Sequence, residues 1–87
     1  MAGYSLEIKR SAARELERLE PRSERRRIVD RIRALAGDPR PAGAQKLAGR
    51  SSLFRVRQGD HRILYEVHDS DRRIVVLRIG HRREVYR

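Results

Sequence analysis

The stretch LFRVRQGDHRILYEVHDSDRRIVVLRIGHRREVY (residues 53–86) decides the fold. From Leu53 to Arg57 the residues alternate, with Phe54 and Val56 on one side and Arg55 and Arg57 on the other. Gln58-Gly59-Asp60 has the composition of a turn. From Arg62 to His68 the alternation resumes: Ile63, Tyr65 and Val67 point to a core, and Arg62, Leu64 and Glu66 point away from it. Asp69-Ser70-Asp71 makes a second turn. Arg73 to Ile79 (RIVVLRI) is an almost unbroken apolar run, the pattern of a central strand buried on both faces. Gly80 is expected to break it, and His81 to Tyr86 to curl back over the sheet or add an edge strand.

The residues before this stretch supply its cover. Tyr4 to Lys9 alternates as a short half-buried strand, with Tyr4, Leu6 and Ile8 inward. Ser11 is a favourable N-cap, and Ala12, Leu16 and Leu19 predict a first helix over about Ala12 to Leu19. Pro21 ends that helix or opens the next. Glu20 to Ala36 reads as a second helix with Ile28, Ile32, Leu35 and Ala36 on its apolar face, Val29 flanking it, and Gly37 as its stop. Arg25, Arg26, Arg27, Arg31 and Arg33 decorate the rest, a pattern read here as a solvated face. Pro39 to Arg50 is irregular and long for a connection, with Leu47 as its anchor to the core. The predicted architecture is α+β, in the order β-α-α-β-β-β: a mainly antiparallel sheet with two N-terminal helices on one face and the other face free.

Composition narrows the partners. With 87 residues, one domain spanning residues 1–87 is expected. There are no cysteines, hence no disulfide framework and no thiolate metal site. No stretch approaches the ~20 apolar residues of a membrane span. The opening MAGYSLEIKR lacks an apolar signal core, so the expectation is an unprocessed cytoplasmic chain. The net charge is +10, and of the 22 basic residues only Lys9 and Lys46 are lysine. Such an excess favours polyanions, and low aromatic content, 5%, argues against binding single strands by stacking.

On the free face, Arg55 and Arg57 stand roughly 7 Å apart along one strand. Arg62 follows across the turn, and His81, Arg82 and Tyr86 follow the last strand. Guanidiniums crowded on a sheet repel one another unless an anion lies among them. One imidazole and one phenol beside them suit phosphoryl chemistry without a metal, such as attack of an RNA 2′-hydroxyl on its own phosphorus. Arginine holds phosphate and stabilises charge but does not act as a base at neutral pH. His81 and Tyr86 are the proton-transfer candidates, with Glu66 as a less favoured carboxylate. Lys46, Arg50, Arg78 and Arg83 are supporting cations for RNA contact. His61, His68 and His81 lack metal-ligand spacing, so no metal or other cofactor is expected.

The blocks LFRVRQGDHRILYEV and VLRIGHRREVYR, together with YSLEIKRSAARELERL and KLAGR upstream, resemble the RelE/ParE toxin superfamily, in particular the RelE-type mRNA interferases. The resemblance implies a compact sheet-and-helix fold and a toxin of a type II toxin–antitoxin system. It implies a ribosome-dependent endoribonuclease that cuts mRNA by 2′-hydroxyl attack. Carried over by position, Arg55, Arg57, Arg62, His81, Arg82 and Tyr86 become the catalytic set. The family also implies an acidic antitoxin encoded nearby, with operator DNA bound only through the antitoxin complex. Well-studied RelE members carry lysines where this chain has Arg55 and Arg57, so a lysine general base is absent at those positions. Two other readings stay open: a ParE-like toxin that inhibits DNA gyrase, and a catalytically inert module that binds RNA or an antitoxin.

Overall fold

The computed structural model of the chain describes residues 3–47, 49 and 52–81. The alternation in residues 53–68 produces a hairpin. Strands β3 (Leu53–Gln58) and β4 (His61–His68) pair antiparallel from Leu53↔Glu66 to Gln58↔His61. The turn between them is Gly59-Asp60, with Gly59 at φ +61°, a left-handed conformation that glycine adopts without a Cβ penalty. β5 (Arg73–His81) pairs antiparallel with β4, and β1 (Ser5–Ile8) lies parallel to β5. A two-residue strand, β2 (Gln45–Lys46), adds to the far edge of β3. The sheet order is β1-β5-β4-β3-β2.

Helices α1 (Arg10–Glu17) and α2 (Arg22–Leu35) cover one face, as the pattern predicts. Ala12, Ile28, Ile32 and Leu35 meet Phe54, Val56, Ile63, Tyr65, Val67, Ile74, Val76 and Ile79 in a single buried cluster. Tyr4, Leu6, Leu16 and Leu19 pack at its margin. Ile8, expected inward, is 40% exposed at the end of the outermost strand.

Four expectations are corrected. The first helix starts at Arg10 with Lys9, not Ser11, as its N-cap. Lys9 serves two elements: its N–H donates to Val76 O of the sheet, and its carbonyl accepts from Ala13 N. The second helix spans Arg22–Leu35, a little shorter than Glu20 to Ala36. The connection read as wholly irregular contains β2. β5 does not break at Gly80 but runs on to His81, and it is not buried on both faces, because Val75 and Leu77 remain half-exposed.

The fourth point changes the geometry. Leu64 pairs with Arg78 and Tyr65 with Val76, so Leu77 is an extra residue, a β-bulge. In an unbroken strand Ile79 and His81 would share a face with Val75, away from the helices. The bulge reverses the phase, which seats Ile79 in the core and turns Arg78 to the opposite face.

A candidate anion-binding site at the edge of the sheet

β3 and β4 put the predicted arginines in register. Arg57 and Arg62 are direct cross-strand partners, and Arg55 pairs with Leu64, which in turn pairs with Arg78. Paired residues share a face, so Arg55, Arg57, Arg62 and Arg78 stand on the side away from the helices. Arg55, Arg57 and Arg62 line one cavity of about 340 Å³ together with Arg31, Gly43 and Gln45. The Arg55 guanidinium donates to Gln45 Oε1, its cross-strand neighbour on β2. Arg57 Nε donates to Gly59 O at 3.2 Å, which folds the side chain toward the turn. Burial, and then the nearby charge of Arg62, push the pKa of Arg55 down from its ordinary value. No carboxylate lines this cavity among the described residues.

Arg31 is the residue the sequence reading missed. It belongs to α2 and was assigned to the solvated face. β2 pairs with β3 only at Gln45↔Arg55 and Lys46↔Phe54, and Arg31 enters the cavity beside Gly43, just before β2 begins. A signal existed in the sequence: Arg31 adjoins Ile28, Ile32 and Leu35 on the helical wheel. Which flanking arginine meets the sheet depends on the length of β2, and that was not legible.

The connection that carries Gly43 and Gln45 is pinned at several points. Tyr65 Oη donates to Pro39 O at 2.7 Å. Burial pushes the Tyr65 hydroxyl up to about 12. Arg40 Nη2 donates to Asp69 Oδ2 at 2.6 Å, and Tyr4 Oη donates to Asp69 Oδ1 at 2.6 Å. Arg40 first, and Tyr4 after it, hold the Asp69 carboxyl below its ordinary range. Arg40 also lies 5.2 Å over the Phe54 ring, which stacks on Tyr65. The irregular segment is therefore held to Tyr65 and Phe54 of the core and to Asp69 in the turn after β4.

The other predicted site residues fall in different places. His81 is directly opposite His61, out of phase with the arginines, because of the bulge at Leu77. Their rings meet edge to face with centroids 6.3 Å apart, and His61 Nδ1 lies 3.4 Å from Glu24 Oε1 of α2. The structure thus groups His81 with His61 and Glu24, not with Arg55, Arg57 and Arg62. Glu66 shares the arginine face but sits roughly 13 Å along β4 from Arg62, and its Oε1 is 3.1 Å from His68 Nε2. Arg78 Nη2 reaches Glu15 Oε2 of α1 at 3.2 Å. Lys46 is exposed on β2. Arg50, Arg82, Arg83 and Tyr86 lie outside the described residues.

The sequence model described as the ParE toxin of the type II toxin–antitoxin system, parDE, matches residues 6–86. Toxin RelG of Mycobacterium tuberculosis is 29% identical over 84 residues, covering 97% of each chain. Among solved structures, the archaeal RelE–RelB complex from Pyrococcus horikoshii OT3 contains a chain that matches with a TM-score of 0.83 at 29% identity, over 94% of this chain and 98% of that one. A chain of the toxin–antitoxin complex RelBE2 from Mycobacterium tuberculosis matches with a TM-score of 0.79 at 27% identity, over 92% of this chain and 99% of that one.

Proposed function

This chain belongs to the ParE toxin family of type II toxin–antitoxin systems, within the RelE/ParE superfamily, and we propose that it is a ribosome-dependent endoribonuclease that cuts mRNA. The single observation that carries this reading is the convergence of Arg55, Arg57 and Arg62 on one cavity. Three guanidiniums from two paired strands can hold a phosphodiester and stabilise the extra charge that forms when a 2′-hydroxyl attacks phosphorus. They remain protonated at neutral pH and move no proton. His81 is directed elsewhere by the bulge, so the proton-transfer role falls to Tyr86, with Arg82, four residues earlier, as a further phosphate contact. An acidic antitoxin is the proposed partner; a chain of similar fold is part of the toxin–antitoxin complex RelBE2. The site of action is proposed to be the cytoplasm. Among the described residues no helix is long and apolar enough to cross a membrane.

The test is induction of the chain in cells followed by mapping of mRNA 5′ ends. Cleavage inside translated codons is expected for the wild type and a loss of at least about tenfold for Arg62→Ala, since removing one stabilising donor costs on the order of 10²–10³ in rate. Full toxicity and unchanged cleavage in Arg62→Ala would remove the cavity from the mechanism. The family match favours one second reading, a ParE-like inhibitor of DNA gyrase. DNA breaks and an SOS response with intact mRNA would establish that reading instead.

A further inference from the structure

The six arginines of α2 have different fates. Arg22, Arg26, Arg27 and Arg33 are exposed. Arg25 turns back to α1, with Nη2 donating to Glu17 O at 3.0 Å and Leu19 O at 3.3 Å, so it closes the end of that helix. Arg31 is half-buried, with its Nε shut off from solvent and without a hydrogen-bond partner among the described residues. It lines the cavity that holds Arg55, Arg57 and Arg62. Its placement costs stability twice, through lost hydration and through repulsion from three like charges. A bound anion offsets both.

We infer that Arg31 is a phosphate-gripping residue of this site, taking a phosphodiester of the bound RNA strand from the helix side of the cavity. The inference rests on the reading of the chain as an RNA-directed toxin and extends its substrate contacts from the sheet to α2. An RNA strand suits the cavity better than a partner's carboxylate. Four guanidiniums converge there, and a strand presents a negative charge at every nucleotide where an isolated side chain presents one. The planar guanidinium matches phosphate in two parallel hydrogen bonds, which an ammonium does not.

The experiment measures binding of the full chain to ribosomes programmed with mRNA whose A-site codon carries 2′-O-methyl riboses, so that no cleavage follows. Wild type, Arg31→Gln, Arg31→Lys and Arg33→Gln are compared over a salt series, with thermal unfolding confirming that each is folded. For Arg31→Gln the slope of log affinity against log salt should fall by about one. Arg31→Lys should recover the slope but bind more weakly than wild type, a result that also carries the test if Arg31→Gln does not fold. Arg33→Gln, which removes the same charge from the exposed side of the same helix, should keep the wild-type slope. A wild-type slope in Arg31→Gln, or wild-type affinity in Arg31→Lys, overturns the inference while leaving the wild-type nuclease reading intact. Failure of the wild type itself to bind the programmed ribosomes overturns both. An unchanged RNA slope with lost binding of an acidic antitoxin peptide would reassign the cavity to a partner's carboxylate and overturn the inference.

Discussion

Arg57 and Arg62 face each other across the β3–β4 ladder. Like charges in directly opposed positions destabilise an antiparallel pair by roughly 0.2–1 kcal/mol. The hydrogen bond from Arg57 to Gly59 O is exposed and offsets little of this. At low ionic strength Arg57→Gln should therefore unfold at a higher temperature than the wild type, by an amount equivalent to roughly 0.2–1 kcal/mol. Added sulfate should close the gap, because an anion that binds the intact cluster stabilises the wild type selectively. If the variant is the less stable protein at low salt, cross-strand repulsion is not what this cluster carries. The pairing itself was legible, since alternation and a short turn fix which residues oppose one another. Arg31 was not, because helix periodicity gives a face and not the reach of a long side chain past the edge of a sheet.

At the scale of elements, the bulge in β5 and the carboxylate of Glu15 act together. β1 pairs with β5 only as far as Ile8↔Val76, and the edge of β5 continues beyond it. Glu15 of α1 takes over there: its Oε1 accepts from Ile79 N at 2.8 Å, and its Oε2 lies 3.2 Å from Arg78 Nη2. A helix side chain thus satisfies a backbone donor that a longer β1 would have paired. Glu15→Ala should destabilise the fold by about 1–3 kcal/mol, the cost of leaving a part-buried donor unmet. Glu15→Gln keeps an acceptor for Ile79 and loses only the half-exposed ion pair, so its cost should be under about 1 kcal/mol. Equal losses in the two variants, measured by denaturant unfolding, would show that the charge and not the backbone contact matters. The three long strands and both helices were legible because each has a sustained apolar period. The bulge was not. RIVVLRI is apolar at nearly every position, so it carries no phase to reveal one extra residue, and without that residue His81 falls on the wrong face. β2 was missed for a related reason: two polar residues between prolines and glycines carry no period at all.

At the scale of the whole molecule, the net charge of +10 remains after the acidic side chains have been drawn into local pairs. Glu15 is held by Arg78, Asp69 by Arg40 and Glu7 by Arg73, and none of them lines the cavity. Four arginines meet at the cavity and concentrate positive field there, with no carboxylate among the described lining residues. A partner that silences the toxin has to neutralise this field, and charge complementarity acts mainly on the rate of encounter. The on-rate of an acidic antitoxin segment should be high at low salt and fall by at least about tenfold by roughly 0.5 M, with a much smaller change in the off-rate. Stopped-flow association over a salt series reads both. Arg55→Gln and Arg57→Gln should each lower the on-rate at low salt and flatten its salt dependence. An on-rate indifferent to salt would mean that the partner is captured through apolar contacts, and that the cationic cavity serves the RNA alone.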